Sequence, residues 1–136
     1  MRYLLDVNVL VALGLREHEF HQRVVAWISD AAAKATREFA TCSITELSFA
    51  RILVQAPQYG LTVAQARSLL VQLKESSDLK FTFIPDNQDI SRLPDWVSTP
   101  KQITDGHLVQ LARANGAVLA TLDRKIRGAF VIPAEK

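Results

Sequence analysis

The sequence predicts an α/β domain, a mostly parallel sheet of about four to five strands wrapped by helices on both faces. Two observations carry this. Short apolar runs recur along the chain, and segments of helical periodicity separate them, the alternation expected of a parallel sheet. In addition, no linker, repeat or low-complexity stretch interrupts the 136 residues, so residues 1–136 are expected to form one domain with one core.

Tyr3 to Val7 is a short apolar run interrupted at Asp6, the pattern of a buried strand. Val9, Leu10 and Leu13 continue at helical spacing. A second helix is expected from His18 to about Arg37, with Phe20, Val24, Trp27, Ile28 and Ala31 on one face. Phe39 to Cys42 reads as a strand, and Ser43 opens a helix carrying Ile44, Leu47, Ile52 and Leu53 inward, ending near Pro57 and Gly60. Thr62 caps the next helix, whose stripe is Ala66, Leu69, Leu70 and Leu73. Lys80 to Ile84 alternates as a strand stopped by Pro85, and Gln88 to Val97 suggests a short helix. Thr104 to Asn115 is helical, with Gly116 as its stop; Ala117 to Thr121 and Ala129 to Ile132 complete the strands.

In a parallel α/β sheet, ligands bind at the carboxyl ends of the strands. Asp6 ends the first strand, Asp123 follows the strand Ala117 to Thr121, and Glu46 lies in the first turn after Cys42. Asp105 opens a helix running antiparallel to the strands, so its N-terminus returns to the same edge. Two like charges about 4 Å apart repel by roughly 1 kcal/mol in water and about 4 kcal/mol at an effective dielectric near 20. A hard divalent cation, Mg²⁺ or Mn²⁺, resolves that conflict with oxygen ligands and suits hydrolysis of a phosphate ester. Each acid also has a plainer explanation: Asp6 as a helix cap, Glu46 closing a capping box with Ser43, Asp105 as a first-turn acid, Asp123 in an exposed turn.

The ordered segments Leu4-Leu5-Asp6-Val7-Asn8, Ile44-Thr45-Glu46-Leu47 with Arg51, Thr104-Asp105-Gly106-His107 and Ala120-Thr121-Leu122-Asp123-Arg124 resemble those of PIN-domain nucleases, and among them the VapC toxins of VapBC pairs. The resemblance implies a PIN-like three-layer α/β/α sandwich. It also implies a Mg²⁺- or Mn²⁺-dependent endoribonuclease, silenced by a cognate VapB-like antitoxin and usually dimeric. By the same resemblance Asp6, Glu46, Asp105 and Asp123 are the catalytic acids, and Asn8, Thr104 and Thr121 match polar positions that orient them or bound water. Asp6 and Asp105 are expected to hold the main metal, with Glu46 and Asp123 acting directly or through water. The chain departs from the pattern after Asp123: Arg124, Lys125 and Ile126 stand where many PIN domains carry a further acid, which puts a second metal in doubt.

Arg51, Arg124 and Lys125, with Arg16, Lys101 and Arg127, are candidates for RNA contact. His18 and His21 stand one turn apart but lack a supporting acid, and read as surface residues. Composition adds exclusions rather than a function. One cysteine, Cys42, rules out an internal disulfide, and a net charge of +2 permits a nucleic-acid partner without arguing for one. No apolar stretch is long enough to span a membrane and no export signal is visible, so the cytoplasm is the expected location. Two alternatives stay open: a non-catalytic PIN-like module that docks RNA or protein, and a haloacid-dehalogenase-like phosphatase, whose Asp-x-Asp opening is here Asp6-Val7-Asn8.

Overall fold

Five strands, all parallel, form one sheet in the order β3-β2-β1-β4-β5, where β1 is Arg2–Leu5, β2 Glu38–Cys42, β3 Phe81–Ile84, β4 Ala117–Thr121 and β5 Phe130–Val131. The computed structural model describes residues 1–33, 38–75 and 79–134. Helices α1 (Val7–Gly14) and α2 (His21–Ala33) connect β1 to β2, and α3 (Ser43–Gln55) and α4 (Val63–Lys74) connect β2 to β3. A short 3-10 turn (Ile90–Arg92) and α5 (Pro100–Ala114) lead from β3 across the sheet to β4. The chain therefore builds outward from β1 in one direction, then returns to its other side. That reversal between β1 and β4 opens a crevice at their carboxyl ends, the usual place for a ligand in such sheets.

Strand alternation sorts the core into two layers. Tyr3 and Leu5 face α1 to α4, packing with Val9, Val24, Trp27, Phe39, Phe49, Leu53 and Leu70. Leu4 faces α5, packing with Ala40, Cys42, Ile84, Leu108, Leu111 and Leu119. The three-layer α/β/α sandwich is thus as expected, and Cys42 is a buried apolar side chain on its strand.

Several local expectations need correction. α2 starts at His21, because the His18 ring accepts the Phe20 N–H at 3.1 Å and holds the preceding residues in a turn. Phe20 therefore lies outside the helix, while residues 34–37 and the Ala31 side chain fall outside what is described. On α3 the buried residues are Thr45, Phe49 and Leu53, at steps of four; Leu47 is 66% exposed and Ile52 37%. Aliphatic character misled there: a polar Thr and an aromatic ring, rather than two aliphatics, define the inner face.

Helix α5 begins four residues earlier than Thr104. Thr99 is its N-cap, Pro100 supplies a first residue with preset φ, and the Gln102 side-chain Oε1 accepts the N–H of Ser98 at 2.8 Å and of Thr99 at 3.3 Å. Four residues add about 6 Å of helix. Asp105 consequently sits in the second turn, beyond the strongest reach of the helix dipole.

Candidate active site

Asp6 follows β1 and caps α1: its Oδ1 accepts the Val7 N–H at 2.8 Å. The cap reading is therefore correct, yet it uses only one oxygen. Oδ2 accepts the Thr121 hydroxyl at 2.8 Å, and the Asp6 N–H donates to the Ala120 carbonyl at 2.9 Å, fastening β1 to β4. At 4% exposure the carboxyl has lost nearly all its water. Burial holds it above the usual carboxylate range; the hydrogen bonds from Thr121 and Val7 pull it part of the way back, and the Asp123 charge adds to the rise.

Thr121, fully buried at the end of β4, organises the turn that follows. Its oxygen accepts from Asn8 Nδ2 at 3.3 Å and from the Asp123 N–H at 3.1 Å, while Asn8 Oδ1 accepts the Leu122 N–H at 3.2 Å. Asn8 and Thr121 thus tie the start of α1 to the loop bearing Asp123. Asp123 Oδ1 accepts the Lys125 N–H at 2.9 Å, so the expected turn is also present.

Asp105 comes from the opposite wall, on α5. Burial first, then the charges of Asp6 and Asp123, push its carboxyl above the ordinary range. Three acids from three segments therefore sense one another across the β1/β4 crevice. Asp105 and Asp123 line a depression of about 330 Å³ together with Trp96, Thr99, Lys101, Gln102, Lys125 and Ile126. The neighbouring Gly106 lets α5 pack against the segment that precedes it: a Cβ there would stand 2.2 Å from Val97 Cγ2.

Glu46 lies in the first turn of α3, after β2 and so beside β1 in the sheet, and differs from the trio in its partners. It does not close a capping box with Ser43; Thr45 does that work, its Oγ1 accepting the Cys42 N–H at 3.1 Å. The Glu46 Oε2 instead accepts the buried Thr41 hydroxyl and Lys74 Nζ, each at 2.5 Å. Thr41, Lys74 and Gly106 were not singled out by the sequence reading. Lys74 lies 28 residues from Glu46, and only the fold relates them.

Among the described residues no Lys, Arg or His forms an ion pair with Asp6, Asp105 or Asp123. Nor, among the described residues, do three or more His, Cys, Asp or Glu side chains converge closely enough to hold a metal ion together. The donor set still fits a hard divalent ion, because Mg²⁺ keeps several waters and needs only one or two carboxylates. Buried Asp6 and partly buried Asp105, neither in an ion pair among the described residues, could supply those.

The other expected residues are dispersed. Thr104 is exposed and lines a separate hollow with Ile44, Asp86 and His107. Arg51 is exposed on α3 and, among the described residues, forms no ion pair with any of the four acids; Arg124 and Lys125 are exposed beside Asp123. His107 pairs with Asp86 at 2.5 Å, and His21 Nδ1 lies 2.7 Å from the Ala12 carbonyl.

Comparison with known proteins fits this geometry. A family model described as PIN domain matches residues 3–129. Ribonuclease VapC44 of Mycobacterium tuberculosis is 38% identical over 132 residues, 93% of this chain and 89% of its own. Ribonuclease VapC38 of the same organism is 37% identical over 125 residues, 88% and 84% of the respective chains. Among solved structures, VapBC2 from Rickettsia felis bound to a promoter DNA fragment shares the fold with a TM-score of 0.64 at 15% identity, covering 99% of this chain and 100% of the other. PAE2754 from Pyrobaculum aerophilum does so with a TM-score of 0.56 at 21% identity, covering 97% and 90%. The chain belongs to the PIN domain family and, within it, to the VapC group.

Proposed function

We propose that this protein is a Mg²⁺- or Mn²⁺-dependent endoribonuclease, acting as the toxin of a VapB-like antitoxin pair in the cytoplasm. One observation carries the catalytic part: Asp6, Asp105 and Asp123 face one crevice, two of them destabilised as anions, and among the described residues none of the three has an ion-pair partner. The ribonuclease relatives at 37–38% identity support RNA as substrate.

Asp6 and Asp105 would hold the ion, with Asp123 and Glu46 contacting it directly or through water. When bound, the ion supplies Lewis-acid stabilisation of the phosphodiester and lowers the pKa of a nearby water. Thr121 fixes the Asp6 carboxylate through its hydroxyl, and Asn8 braces Thr121. Lys101 and Lys125, which line the same depression, would hold substrate phosphate beside the acids.

Exposed Leu47, Val63 and Val71 line a groove between α3 and α4 that ends at Glu46 and Lys74. This is where an amphipathic antitoxin helix would lie. A homodimer is part of the same reading, and light scattering behind size exclusion tests it, a clean monomer at micromolar concentration counting against it. Among the described residues no helix is long and apolar enough to cross a membrane.

The test is cleavage of total RNA by the purified chain with Mn²⁺, with EDTA, and with Asp6→Asn. Cleavage should need Mn²⁺ and vanish in the folded variant. Retained activity in either control removes the mechanism, and RNA binding without cleavage under every condition favours the non-catalytic alternative.

A further inference from the structure

Glu46 is the one acid of the four that already has a cation. Among the described residues, Lys74 is its ion-pair partner, and both side chains are about three-quarters buried, at 27% and 25% exposure. The arrangement draws on four elements. Thr41 on β2, fully buried, donates to the same Oε2 that Lys74 holds, and the Lys74 ammonium also stands 5.5 Å from the Phe83 ring centre on β3. Lys74 is the last residue of α4, and its reach to Glu46 on α3 closes the end of the groove between the two helices. An exposed lysine pairing by chance would not find a buried hydroxyl on its carboxylate and an aromatic face beneath it.

We propose that Lys74 is the built-in counter-cation of Glu46 and thereby limits the acid crevice to a single divalent ion, held on the side of Asp6, Asp105 and Asp123. The inference rests on the metal-dependent reading above and deepens it. Two-ion sites place their cations about 3.5–4 Å apart and need carboxylates free to bridge or flank both. A second dication near Glu46 would share that carboxylate with an ammonium, and would be repelled twice as strongly as a monovalent charge at the same distance. The far side of the crevice is no more receptive. Asp123 Oδ1 is engaged by the Lys125 N–H, and basic Arg124 and Lys125 follow it in sequence. Lys74 is thus a positioning residue: it pins Oε2 and leaves Oε1 as the oxygen with which Glu46 can reach bound water.

Counting Mn²⁺ on the metal-free full chain, by calorimetric titration and by electron paramagnetic resonance, tests this without reference to activity. Wild type should bind one ion per chain, with the spectrum of an isolated Mn²⁺. Lys74→Met should raise the count to two, with exchange coupling between the ions, and Lys74→Met combined with Glu46→Gln should return it to one. Lys74→Arg, which keeps the charge, should stay at one. Two ions on the wild type overturn the proposal, as does a folded Lys74→Met chain that still binds one. Lys74→Gln repeats the measurement should the methionine variant not fold, and the wild-type count stands by itself in any case. No Mn²⁺ on the wild type overturns the metal-dependent reading and this one with it, an outcome distinct from the other two.

Discussion

Asp105 pays for its position in stability, and the sign of that cost is measurable. Its carboxyl titrates above the ordinary value because burial, Asp6 and Asp123 all disfavour the anion. A group with a raised folded pKa is best tolerated below its unfolded pKa and costs stability as pH climbs through the folded one. Asp105→Asn, in metal-free buffer, is therefore expected to melt higher than wild type at pH 7, the gap closing as pH falls through the raised folded value and gone below about 4. Thermal melts across that range check it. Thr121 predicts the opposite direction. Its oxygen serves Asp6, Asn8 and the Asp123 N–H at once, so Thr121→Val leaves buried polar groups unpaired and should destabilise by about 1–3 kcal/mol. Chemical denaturation reads that loss, and RNA cleavage should fall with it as Asp6 loses its orienting donor.

At the scale of elements, α5 decides whether the crevice closes. Pro100 and the Thr99/Gln102 cap set its start, and Gly106 seats it against Val97, with Pro94 Cδ at 3.5 Å from the missing Cβ. Gly106→Ala should cost about 1–3 kcal/mol by overpacking. Adding Val97→Ala should recover part of the loss, and a double-mutant cycle on the melting curves would show that coupling. These contacts also explain what could be read in advance. Strands β1, β2 and β4 were legible because short apolar runs have few alternatives, and Asp6 and Asp123 followed from where those strands end. The start of α5 was misplaced because Ser98 to Ile103 lacks an apolar stripe, and its signal is the cap and proline instead. On α3, Leu47 and Ile52 looked inward because aliphatic residues usually are, whereas Thr45 and Phe49 take the core. The Glu46 to Lys74 pair had no local signal, since two helices and a sheet must assemble before those residues meet.

Across the whole molecule, the strand order puts β1 at the centre and reverses direction between β1 and β4, which brings an acid after each strand and one on α5 to a shared edge. The fold thus concentrates negative charge on three acids that, among the described residues, have no ion-pair partner. Binding that favours the native state stabilises it by RT ln(1 + [L]/Kd), about 2.7 kcal/mol at a hundredfold excess over Kd. The most direct measurement is the melting temperature of the metal-free chain, titrated with Mn²⁺, for wild type beside Asp105→Asn and Asp6→Asn. If these carboxylates hold the ion, wild type shows a saturable rise that shrinks or disappears in both variants. An equal rise in all three, or none in wild type, would contradict that assignment.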